Sequence, residues 1–129
     1  MTSLRVTIDD VSIDATWTDD APETRAALES ALPLEGDATR WGDELYFSIP
    51  VDVDEGGGRT AVPDGAIAYW PTGNALCLFW GPTPASQGDE PRAASPVNVV
   101  AQLEDTSPLE SLEPDSGARV RLERNERSR

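Results

Sequence analysis

Hydrophobic and polar positions alternate almost from the start of the chain. Leu4, Val6 and Ile8 fall on one face of an extended segment, and after Asp9-Asp10 the alternation resumes with Val11, Ile13, Ala15 and Trp17. Folding at the two aspartates sets Ile8 against Val11, Val6 against Ile13 and Leu4 against Ala15, so the pattern predicts a hairpin with one apolar face. Asp20-Ala21-Pro22-Glu23 then combines an acidic cap with a first-turn proline, and Ala26, Ala27, Leu28, Ala31 and Leu32 recur at helical spacing. One amphipathic helix is predicted over 21–32.

Strands are predicted over 34–41 and 44–49 around a Gly42-Asp43 turn; in the second, Leu45, Phe47 and Ile49 share a face while Tyr46 and Ser48 take the other. Residues 54–60, with Gly56-Gly57-Gly58, read as a flexible loop. They lack the lysine and the spacing of a phosphate-binding loop. Strands over 66–70 and 75–80 flank the turn Pro71-Thr72-Gly73-Asn74, and Pro82 and Pro84 stop the second, because proline cannot donate to a ladder. A polar segment, 85–95, leads to an alternating strand with Val97, Val99, Ala101 and Leu103. A short helical turn follows from Ser107 to about Leu112, then a turn at Asp115-Ser116-Gly117 and a last strand with Ala118, Val120 and Leu122 inward.

About eight short strands with one substantial helix define a mostly β protein, a closed barrel with the helix capping one end. The length of 129 residues suits a single domain, expected over 1–123, with 124–129 as a polar tail.

Charge narrows the function. There are 24 acidic residues against 10 basic ones, a net charge of −14, and every basic residue is arginine. Neither nucleic acid nor an anionic membrane is an expected partner, since each requires a basic surface. Acids spread along the whole chain predict a salt-adapted protein of a haloarchaeal, high-salt cytoplasm. The absence of a signal-peptide pattern and of a long apolar run points to the same compartment.

The single cysteine, Cys77, excludes an internal disulfide and a cysteine zinc site. The absence of histidine excludes Ser-His-Asp, Cys-His and His-metal chemistry. No metal and no cofactor are expected.

The run Gly65-Ala66-Ile67-Ala68-Tyr69-Trp70-Pro71-Thr72-Gly73-Asn74-Ala75-Leu76-Cys77-Leu78-Phe79-Trp80-Gly81-Pro82-Thr83-Pro84-Ala85-Ser86, continuing through Gly88-Asp89-Glu90-Pro91-Arg92 to Val100, resembles a small prokaryotic family of uncharacterised proteins with a cyclophilin-like fold. The segments Leu28 to Gly36 and Trp41 to Phe47 are similar to it as well. The resemblance implies a cyclophilin-like barrel and no particular reaction. Cyclophilins proper carry a catalytic arginine in a Phe-His-Arg motif on the strand that corresponds to 41–49, followed by Phe-x-x-Gln-Gly. Both motifs are missing here.

The leading expectation is therefore a domain that binds a small molecule or a peptide in a cleft beside the barrel, lined by Trp41, Glu44, Tyr46, Trp70, Arg92 and Asn98. Tyr46 faces away from the Leu45 and Phe47 side, the Trp rings offer flat apolar platforms, and Arg92 offers a planar fork for a carbonyl or carboxylate. Glu44 lies beside Asp43 in a chain so rich in acids that adjacency carries little. Cys77 sits in an apolar run and reads as core. The alternative is a divergent peptidyl-prolyl isomerase in which Arg92 or Arg40 replaces the usual arginine.

Overall fold

The structure is a computed structural model that describes residues 4–53, 56, 58–112 and 117–124. The predicted hairpin forms from β1 (Leu4–Ile8) and β2 (Val11–Trp17), with Leu4 opposite Ala15, Val6 opposite Ile13 and Ile8 opposite Val11. Its turn contains no glycine, yet Asp9 adopts a positive φ of 53°. Two bonds to a neighbouring strand hold it there: the Asp9 amide donates to the Arg119 carbonyl at 2.8 Å, and the Asp9 carboxylate accepts from the Arg119 amide at 2.9 Å.

Helix α1 (Pro22–Ala31) follows, shorter by a residue at each end than the periodicity predicts. Ala21 stands at its N-cap and no side chain caps it, so the expected acidic cap is corrected. The Asp20 carboxylate faces Arg59 at 3.4 Å instead. Leu28 carries the helix into the core.

Strands β3 (Leu34–Arg40), β4 (Glu44–Ser48), β5 (Arg59–Ala61), β6 (Ala66–Trp70), β7 (Ala75–Phe79), β8 (Arg92–Leu103) and β9 (Ala118–Arg124) complete the sheet, with the short helix α2 (Ser107–Glu110) before β9. The order β2-β1-β9-β3-β4-β7-β6-β8 closes on itself through β8 pairing with β2, giving a ring of eight strands. The ninth strand, β5, hangs outside the ring on the first half of β8.

Two expectations about this region need correction. The segment 85–95 is not wholly a polar connection, because β8 begins at Arg92 and pairs with β5. Of the loop 54–60, the far end is strand, while residues 54, 55 and 57 lie outside the described residues, as do Asp115 and Ser116 and the tail from 125 onward.

Strand parity divides the apolar residues into two cores. Inside the ring lie Leu4, Val6, Leu45, Phe47, Leu76, Leu78, Val120 and Leu122 among others, all buried. Outside it, β6, β7 and β8 turn Ala66, Ala68, Cys77, Phe79, Val97 and Val99 toward a second, smaller core covered by Val62 and Ala93. A bulge in β8 permits both, since Ile67 pairs with Ala101 while Ala68 pairs with Val99. The extra residue, Val100, turns inward with Ala101.

Candidate functional site

The outer core is incomplete at one end. Beside it opens a cavity of about 270 Å³ lined by Trp41, Glu44, Tyr46, Trp70, Ala93 and Ala94. Glu44 and Tyr46 are on β4 at outward parity, Trp70 ends β6, and the two alanines come from the start of β8.

The β3–β4 turn places Trp41 and Glu44. Gly42 takes a φ of 63°, and a Cβ there would lie 2.7 Å from the Thr83 backbone, so only glycine lets this turn approach the 81–84 segment so closely. The turn is held by Asp43 N–H to the Pro82 carbonyl at 3.0 Å, Trp80 N–H to the Asp43 carbonyl at 3.0 Å, and Trp41 N–H to the Glu44 carbonyl at 2.8 Å. Arg40 braces it from outside by donating to the Gly42 carbonyl and the Asp43 carboxylate at 2.8 and 2.9 Å, with its guanidinium 5.1 Å from the Trp80 ring centre.

Trp70 is fixed in three ways. Its indole N–H donates to the Ser95 hydroxyl, its ring meets Tyr46 edge to face with centroids 6.4 Å apart, and Gly73 leaves room beneath it, where a Cβ would lie 2.6 Å from the ring. The segment that leads into Ala93 and Ala94 is knitted by side-chain to backbone bonds: Thr83 and Ser86 hydroxyls donate to the Arg92 and Glu90 carbonyls, and the Glu90 carboxylate accepts from the Gln87 amide at 2.8 Å.

Electrostatically the cavity turns on Glu44. The residue is only 5% exposed, and among the described residues no guanidinium pairs with it. Burial pushes its carboxyl up to about 7, opposed in part by a hydrogen bond from the Cys77 thiol. The same burial, together with the Glu44 charge, pushes the Cys77 thiol well above its ordinary value. Cys77 is therefore a packed, protonated thiol that acts on the site through Glu44, as a core residue rather than a nucleophile.

Of the six residues expected in the cleft, the structure brings four together: Trp41, Glu44, Tyr46 and Trp70. Arg92 and Asn98 stand apart from that group. Arg92 is bound to Glu90 at 3.0 Å and to the Thr60 hydroxyl at 3.0 Å. Asn98 pairs with the inward Tyr69 and its amide reaches the Thr24 hydroxyl of α1 at 3.4 Å, so it helps seat the helix. Sequence reasoning missed Ala93 and Ala94, whose small side chains leave the space that the rings border. It also missed the thiol bond to Glu44, for which the parity shared by Glu44 in β4 and Cys77 in the neighbouring β7 was the available signal.

A closed β ring with one main helix and a lateral aromatic cavity defines the class of architecture. The comparisons place the chain within it: residues 2–123 match the cyclophilin-like family, and the protein belongs to that family. The solution structure of the hypothetical protein AF2241 from Archaeoglobus fulgidus is similar at 35% identity, covering 96% of this chain and 95% of that one, with a TM-score of 0.78. No curated protein matches. No helix among the described residues is long and apolar enough to cross a membrane, and no cluster of potential metal ligands occurs among them.

Proposed function

We propose that this protein is a non-catalytic binding domain that takes a small molecule, or one side chain of a peptide, into the cavity between Trp41, Tyr46 and Trp70. The observation that carries the reading is the pairing of three half-buried rings with one recessed carboxyl in a preformed space. The cavity's 270 Å³ is close to the lower end of the ~300–1,000 Å³ range of small-molecule sites. Preformed walls spare a ligand part of the ordering cost of binding.

Prolyl isomerisation needs a donor aimed at the prolyl amide, and both candidate arginines have other work. Arg40 braces the β3–β4 turn and Arg92 is tied to Glu90 and Thr60. The binding reading is favoured for that reason.

The test is a fragment screen read by the indole N–H signals of Trp41 and Trp70, with Trp17 as an internal reference, alongside a protease-coupled isomerisation assay in molar salt. Fragments that move Trp41 and Trp70 together, with no isomerisation above background, are expected. A library in which no fragment moves either signal, or turnover abolished in Arg92→Ala, would overturn the reading.

A further inference from the structure

Resting on the binding reading, we infer that the cavity selects an organic ammonium cation, whose charge is received by the faces of Trp41, Tyr46 and Trp70 and neutralised by the Glu44 carboxylate. The chemistry follows from what the cavity contains and what it lacks. Aromatic faces are electron-rich and attract cations, more strongly when water is excluded. A buried carboxylate without a cationic partner is costly to ionise, and a ligand cation supplies the missing charge.

The groups around Glu44 leave that position to a ligand. From β7 comes the neutral Cys77 thiol, which donates to the carboxyl. On the chain beside it, Asp43 is bound by Arg40; at the start of β8, Arg92 is bound by Glu90; and Tyr46 lies on the same face of β4. A metal cation meets one carboxylate and no cluster of further ligands here among the described residues. A quaternary ammonium needs no such ligands, because it is weakly hydrated and spreads its charge over methyl groups that pack on rings.

Ammonium binding favours ionised Glu44, so uptake of the cation releases a proton wherever the free carboxyl still holds one. The natural comparison is choline against 3,3-dimethylbutan-1-ol, which has the same shape without the charge. Titrations followed by the Trp41 and Trp70 indole signals in molar KCl remove the general attraction of an acidic surface for cations. At pH 8 choline should bind at least roughly fivefold tighter than the alcohol. Its affinity should rise about tenfold between pH 6 and pH 8, while that of the alcohol stays flat.

Glu44→Gln should abolish the pH dependence and reduce the preference to what the rings alone supply, and Trp70→Leu should reduce the preference while leaving the pH dependence in place. Equal binding of the two probes, or choline binding unchanged in Glu44→Gln, overturns the cation inference and leaves a neutral-ligand cavity standing. If neither probe moves the indoles, the inference falls. A silent fragment screen would then remove the binding reading as well.

Discussion

The inner and outer cores of this ring each bury a polar group on large side chains, and they treat it in opposite ways. Inside, Tyr69 is fully buried and its hydroxyl is satisfied: it donates to the Val51 carbonyl at 2.7 Å and accepts from the Asn74 amide at 2.9 Å. Outside, Glu44 is nearly as buried but has one weak thiol donor and a cavity in front of it. A polar group with its hydrogen bonds made is part of the scaffold, whereas one left short is where a molecule from solution has something to add.

Removing mass from each side separates the two cores most strongly. Leu78→Ala, in the ring interior, should lose about 2–5 kcal/mol of stability in denaturant melts. Cys77→Ala, one residue along the same strand but facing the outer core, should lose far less and should raise the Glu44 carboxyl further by deleting the thiol that lowers it. Equal losses would mean that the two cores are one mechanical unit.

Next in size is the response to pH. Unfolded, Glu44 titrates near 4.5; folded, it keeps its proton up to about 7. Between those values the folded chain binds more protons than the unfolded one, so the contribution is intact below about 4.5, falls as pH rises toward 7 and is flat above it. The loss amounts to roughly 3 kcal/mol. Stability curves at several pH values should show that decline in the native protein and not in Glu44→Gln. A decline retained in the variant would assign it to other carboxyls.

Tyr69→Phe should cost about 1 kcal/mol, the ordinary worth of one hydroxyl bond, because the Asn74 amide still donates to the Val51 carbonyl at 3.2 Å. No change on this substitution would dissolve the contrast with Glu44. Finally, added KCl should raise the thermal midpoint gradually, because 24 acids face 10 arginines on one domain. Screening acts on the surface, so native and Glu44→Gln proteins should respond in parallel, and a divergence would place salt at the cavity itself.

Alternation made the first hairpin legible to the register, because both arms carry apolar residues on one face and Asp9 needs only a neighbour to hold its turn. The strand containing Val120 and Leu122 was legible for the same reason. What alternation does not carry is a second layer. β5 is three residues of mixed polarity that become a strand only by pairing with the front of β8, and that pairing also extends β8 back past Pro96 to Arg92. Because this layer covers the outward face, an acid that parity puts toward solvent is buried instead, and Glu44 looks from sequence like any of its many counterparts. The aromatic lining was easier to find, since rings on an outward face call for an explanation. Arg92 and Asn98 were harder: each has a partner distant in sequence, Thr60 and Thr24, which local pattern does not reveal.

The position of β9 has a consequence for how the chain matures on the ribosome. β9 spans 118–124 and sits between β1 and β3, pairing with both. While translation is still short of those residues, the first hairpin and the β3–β4 pair have no stave between them, and each offers an open edge to any other nascent chain. Closure of the ring thus waits for late synthesis and for contacts between distant ends of the sequence, a topology that folds slowly compared with one built from local contacts. Chains truncated before 118 should be protease-sensitive throughout, and protection should arrive in one step once β9 is present and free to pair with β1 and β3.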